Sequence, residues 1–219
     1  MPEAPLVRLT GERVVLEPLA VEHAVEMVGV LSSPSLYVLI GGRPPSLSDL
    51  TTRYLRQTAE PESGHEAWLN WIVRYEGRAV GFVQATLREE GGVLNAAVAW
   101  LVRPEHQGHG LATEAAGVMV EHLRALGAAI TAWISDANHA SVAVATRLAL
   151  CRTAHQEDGE QLWTDSRQWR VARPGMPAPR CYWEQWLPSR VWLCLLGRVA
   201  RGSQRVPGTP REATGGWEH

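Results

Sequence analysis

The chain has 219 residues, 45% of them hydrophobic and 20% charged, with a formal net charge of -2. That length supplies one ordinary domain, or a domain and a tail, with a core large enough to need no metal or disulfide. The charge balance argues against a large basic nucleic-acid footprint, and three widely spaced cysteines (Cys151, Cys181, Cys194) make neither a disulfide framework nor a zinc site.

Val14-Val15-Leu16 predicts a short first strand. Over residues 21–31, Val21, Val25, Val28 and Leu31 fall at helical spacing and predict a helix. Ser32-Ser33-Pro34 and residues 41–45 break the chain. Ser46 reads as an N-cap, with Asp49 three residues on, and opens a second helix to about residue 57. Strand-like runs follow over residues 68–75, 79–87 and 95–102. Short glycine-containing linkers join them, which predicts an antiparallel meander.

At residue 111 the apolar spacing becomes helical. Ala115, Val118, Met119, His122, Leu123 and Leu126 share a face, and Gly127 closes the helix. Residues 130–134 predict a strand. Residues 140–149 predict a helix with Val142, Ala145 and Leu148 on one face. Two last strands, residues 151–155 and 161–169, flank Glu157-Asp158-Gly159. The order predicts an α+β fold with a mixed sheet, in which residues 95–134 form a parallel, right-handed strand–helix–strand unit.

The domain is expected over residues 8–170. Residues 171–219 read as a tail rich in Pro, Gly, Arg and Trp, disordered toward its end. Within it, residues 191–196 form an apolar patch suited to docking on the domain, to burial in a homodimer or to a membrane surface. All 21 basic residues are arginine, a bias that suggests a high-GC bacterial genome. Residues 1–5 do not resemble the start of a signal peptide, and no run approaches the ~20 apolar residues that span a bilayer. A reduced, cytoplasmic protein is expected.

The most informative segment is Gln107-Gly108-His109-Gly110-Leu111-Ala112, between a strand and a helix. Glycines at alternate positions let the chain turn sharply and clear space for a ligand. The first N–H groups of the helix have no intrahelical partner, and with the helix dipole they suit phosphate. A tight turn without a ligand is the plainer alternative. The chain has no lysine, so this is not a Walker A loop. A Rossmann turn would come early in a parallel unit, not after a meander.

Here the sequence resembles the GCN5-related N-acetyltransferases (GNAT), especially the branch that acetylates ribosomal-protein N-termini. Gln107, Gly110 and Ala112 fit the family's pyrophosphate motif, Gln/Arg-x-x-Gly-x-Gly/Ala. Thr113-Glu114-Ala115, residues 136–141 and Arg147-Leu148-Ala149-Leu150 are similar to that branch as well. The resemblance covers about residues 8–170. It implies acetyl-CoA as cofactor, with Gln107, Gly108, His109, Gly110, Leu111, Ala112 and Thr113 cradling the pyrophosphate. It implies that the backbone of Trp100, Leu101 and Val102 follows the pantetheine arm, one N–H stabilising the oxyanion. It also implies that Asn138 hydrogen-bonds the cofactor where two parallel strands splay, and that Ser141 protonates the departing thiolate. Helix capping is the plainer role for Asn138 and Ser141.

The chain departs from the family at two places. Residues 95–98 lack the glutamate that many members use to relay the amine proton, and Ala145 stands where many have a tyrosine. His65, His106, His109, His139 and Glu66 are candidate bases. Cys151 is a candidate nucleophile, or more plainly a buried cysteine at a strand start. Asn70 is a candidate for lining an acceptor pocket, with residues 41–49 covering that side. The expected function is N-acetyl transfer from acetyl-CoA to a primary amine, on a peptide N-terminus or a small molecule, by direct transfer in a ternary complex. The alternatives are an acyl-CoA-binding regulatory protein without turnover, and a structural partner that associates through the tail.

Overall fold

The computed structural model of the chain describes residues 6–59 and 66–165. The expected tail, His65, Cys181 and Cys194 lie outside the described residues.

In chain order the elements are β1 (Leu9–Thr10), β2 (Val14–Pro18), α1 (Ala24–Val30), α2 (Tyr37–Ile40), α3 (Leu47–Gln57), β3 (Glu66–Tyr75), β4 (Arg78–Glu90), β5 (Val93–Val102), α4 (Leu111–Ala125), β6 (Ala129–Ser135), α5 (His139–Arg147), β7 (Leu150–Glu157) and β8 (Glu160–Asp165). The strands form one sheet in the order β1-β2-β3-β4-β5-β6-β8-β7. Neighbours are antiparallel except β5 and β6, which run parallel from the Asn95–Ala129 pair to the Ala97–Thr131 pair. This is the expected meander followed by a parallel strand–helix–strand unit. Beyond Ala97 the two parallel strands part.

Strand alternation gives the sheet two apolar faces. Leu69, Trp71 and Val73 on β3 and Leu94, Ala96 and Val98 on β5 pack with Ala115, Met119 and Leu123 of α4. On the other face, Ile72 of β3 packs with Ala24, Met27 and Val30 of α1 and with Leu50 and Tyr54 of α3. Met119 and Leu123 are wholly buried, and burying such a side chain stabilises by about 1.5–3 kcal/mol.

The helix expected over residues 21–31 is present but turned. A 3₁₀ turn, Val21–His23, precedes α1 and shifts its phase. Ala24, Met27 and Val30 face the core, while Val25 is 71% exposed. α3 starts as predicted: Ser46 Oγ accepts from the Asp49 N–H at 3.1 Å, and the Asp49 carboxylate accepts from the Ser46 N–H at 3.2 Å. At the far edge, the Arg124 guanidinium of α4 donates to Asp165 on β8 at 2.7 Å and to the Leu148 carbonyl at 2.8 Å. That ties α4 to the strand inserted between β6 and β7. Among the described residues no helix is long and apolar enough to cross a membrane.

Candidate functional site

The turn into α4 is built as the sequence suggests. Gly108 has φ +79° and Gly110 φ +78°, the left-handed region where a side chain is strained. The first helical hydrogen bond runs from the Glu114 N–H to the Gly110 carbonyl at 3.0 Å. The N–H groups of Gly108, His109, Gly110, Leu111, Ala112 and Thr113 have no partner among the described residues. They form a continuous donor run at the positive end of a 15-residue helix, a geometry suited to a pyrophosphate. The Leu111 side chain is buried in the core, so only its backbone can serve a ligand.

Two contacts hold this turn. Gln107 Nε2 donates to the Val102 carbonyl at 2.8 Å, pinning the turn to the end of β5. Arg13 donates through Nη1 to the His109 carbonyl at 3.1 Å and through Nε to Glu114 at 2.8 Å. Glu114 also accepts from the Val14 N–H at 3.1 Å. Burial pushes the Glu114 carboxyl up, but the backbone donors of Arg13 and Val14 and the Arg13 guanidinium outweigh it and hold the carboxyl below the usual range.

Where β5 and β6 part, a cleft opens, lined by Val98, Trp100, Trp133, Asn138, Ser141 and Glu160 among others. The structure therefore brings together Trp100, Asn138 and Ser141, three of the residues that the sequence singles out. Asn138 caps α5, its Oδ1 accepting from the Ser141 N–H at 3.1 Å, so capping and a position in the cleft coexist. Leu101 points to the opposite face of β5, into a second cavity, and Val102 is buried. Gln107 to Thr113 lie beyond the end of β5, at the start of α4.

The sequence reading misses Glu160. It pairs with Ser135 of β6, so both side chains share one face of the sheet at the cleft. Burial pushes its carboxyl up, and the negative charge of Asp158 pushes the same way. That carboxyl has no hydrogen-bond or ion-pair partner among the described residues. The only signal in the sequence is its place after the Asp158-Gly159 turn.

The other candidate bases stand elsewhere. Glu66 is bound to Arg88 and accepts from Trp68 Nε1. His109 and His139 are exposed. The His106 ring meets Tyr75 edge-on, centroids 6.1 Å apart, outside the cleft. Cys151 is exposed rather than buried, since the second position of β7 faces away from the core. It does not line the cleft.

The second cavity lies under α3 on the face opposite α4. Asn70 lines it, with Tyr37, Arg53, Tyr54, Gln57 and Gln84. The loop of residues 41–46 contributes no lining residue; the helix that follows it does.

A family model described as an acetyltransferase (GNAT) domain matches residues 13–150. No curated protein matches the chain in sequence. Among solved structures, the microcin C7 self-immunity acetyltransferase MccE, in complex with acetyl-CoA and AMP, is 15% identical with a TM-score of 0.58. The match covers 70% of this chain and 92% of that one. An acetyltransferase from Thermus thermophilus is 19% identical with a TM-score of 0.56, covering 72% and 98%. RimL, a ribosomal L7/L12 α-N-protein acetyltransferase solved with coenzyme A, is 12% identical with a TM-score of 0.57, covering 74% and 96%. At these identities the likeness is one of fold.

Proposed function

We propose a specific activity for this chain, which belongs to the GNAT acetyltransferase family: transfer of an acetyl group from acetyl-CoA to a primary amine, directly, with both substrates bound. The observation that carries this reading is the N–H run from Gly108 to Thr113, without partners among the described residues, at the start of the helix that links β5 to β6, the two strands that part at the cleft. Acetyl-CoA, when bound, supplies the acetyl group as a thioester. The N–H run holds the pyrophosphate, and Asn138 and the backbone of Trp100, Leu101 and Val102 hold the pantetheine arm. A β5 N–H donates to the charge developing on the carbonyl oxygen. Glu160 accepts the proton that the attacking amine gives up, and Ser141 donates one to the leaving sulfur. Arg13, Glu114 and the Gln107 side chain are positioning residues for the turn.

An acyl-CoA-binding protein without turnover shares the donor half of this site. Its support is the absence of a glutamate at residues 95–98 and of a tyrosine at Ala145. The carboxyl of Glu160 in the cleft favours transfer.

Two measurements test the reading. At about 100 times Kd, coenzyme A adds about 2.7 kcal/mol of stability, a melting shift of roughly 5–10 °C for a chain of this size. Gly110→Trp should remove the shift while melting stays cooperative. A thiol-release assay over primary amines should then show turnover with acetyl-CoA. A shift without turnover on any amine would leave the binding protein; no shift at all would remove coenzyme A from this site.

A further inference from the structure

Arg53 of α3 lines the cavity under that helix. Arg53 is half-buried, and no carboxylate lies within ion-pair distance of its guanidinium among the described residues. The acid nearest in sequence is Asp49, one helical turn back, and its carboxylate is engaged by the Ser46 N–H and hydroxyl. The other ionisable groups around Arg53 are the phenols of Tyr37 and Tyr54. Burial pushes both phenols up, so they are neutral at physiological pH. Burial also lowers the Arg53 pKa from its ordinary value, yet a guanidinium stays charged at neutral pH. A partly desolvated cation facing neutral hydrogen-bonding groups is stabilised by an arriving anion.

The rest of the cavity suits such a ligand. The Gln84 amide, on a residue only 6% exposed, has no side-chain partner among the described residues. Asn70 makes one long contact, 3.4 Å, to the Gln57 carbonyl. A row of paired residues also runs along one face of the sheet from the cavity to the cleft. Asn70 pairs with Gln84, and Gln84 with Ala99. Directly paired residues share a face, so the three form a row from the cavity to Ala99, which lines the cleft. Glu160 lies on that same face across the cleft, because Ser135 alternates with the core residue Ile134. The row spans two strand spacings, roughly 10 Å.

We propose that the α3 cavity is an acceptor subsite for an anionic group, and that the acceptor is a small primary amine carrying a carboxylate or phosphate. The anion sits on Arg53, with Gln84 and Asn70 donating to it, and the amine reaches Ala99 at the edge of the cleft, from where its proton passes through water to Glu160, two strands further on. This rests on the transferase reading above. The roughly 10 Å row favours acceptors with several bonds between amine and acid over α-amino acids.

The test has a binding arm and a turnover arm. Succinate and inorganic phosphate, titrated by calorimetry without acetyl-CoA, should bind the full chain, and Arg53→Gln should weaken that binding by about tenfold or more. With acetyl-CoA, kcat/KM is compared for 6-aminohexanoate against 6-aminohexanamide, and for 6-aminohexyl phosphate against 6-aminohexanol. The acid should be preferred by about tenfold or more in at least one pair, and the pair with the larger ratio identifies carboxylate or phosphate. Arg53→Gln should bring that ratio toward one, and Arg53→Lys should keep much of it. Equal use of acid and neutral partner, or a ratio unmoved by Arg53→Gln, overturns the subsite while leaving the transferase intact. Arg53-dependent anion binding without transfer to any amine overturns the transferase and leaves the anion site.

Discussion

A carboxyl that takes a proton from an amine works best when its own pKa lies near the working pH. Burial first, and then the charge of Asp158, raise Glu160 toward that condition. The base acts ionised, so kcat should rise with pH through a pKa above the ordinary carboxylate value and level off beyond it. Asp158→Asn removes the like charge and should move that limb to lower pH. Glu160→Gln should abolish the limb and lower kcat by about a hundredfold. An unchanged limb in Glu160→Gln would assign it to another group. The same displacement has a sign for stability. An acid whose folded pKa is raised costs stability where it is ionised, fully above the folded value and not at all below the unfolded one. Glu160→Gln should therefore melt higher than the parent at pH 8, with the difference shrinking as pH falls toward the ordinary carboxylate range.

At the scale of elements, the start of α4 depends on Glu114. Its carboxylate accepts from the Arg13 and Val14 N–H groups and from the Arg13 side chain, whose own carbonyl contact is to His109. The β1–β2 turn and the glycine turn are thus fastened to the same carboxylate. Glu114→Ala should cost about 1 kcal/mol, modest because the Arg13 partner is 44% exposed and screened. Because the carboxyl is held below its usual range, that contribution is present above the ordinary pKa and fades as pH falls through the folded value. The functional readout is KM for acetyl-CoA, which should rise several-fold with kcat nearly unchanged, whereas a kcat loss alone would place Glu114 outside the cofactor turn.

The elements themselves were largely legible. The Ser46 cap, the meander, α4 and its Gly127 stop all leave local signals. The phase of α1 was not, because Val25 is apolar and exposed while the smaller Ala24 is buried. The cofactor turn was legible because backbone chemistry needs particular glycines. Glu160 was hidden because Glu157-Asp158-Gly159-Glu160 reads as a solvated hairpin. Arg53 was hidden because a lone arginine on an amphipathic helix reads as its polar face.

At the scale of the molecule, what sequence order does not reveal is the insertion of β8 between β6 and β7. That order puts Glu160 against Ser135 and hence at the cleft. It also sets how the sheet is joined. β5 and β6 share only the pairs from Asn95–Ala129 to Ala97–Thr131, against ten paired positions between β4 and β5. The strands β6, β8 and β7 and helix α5 are therefore fastened to the meander by a short ladder and by the core under α4 and α5. A ligand bound from the Gly108–Thr113 turn to Asn138 would bridge the two parts. Coenzyme A should slow amide exchange at residues 108–113 by direct hydrogen bonding. It should also slow exchange in β6 and α5, because their opening then requires release of the ligand. Protection confined to 108–113 would describe a phosphate site at a helix end. Protection that reaches residues 139–147 requires a ligand long enough to fill the cleft.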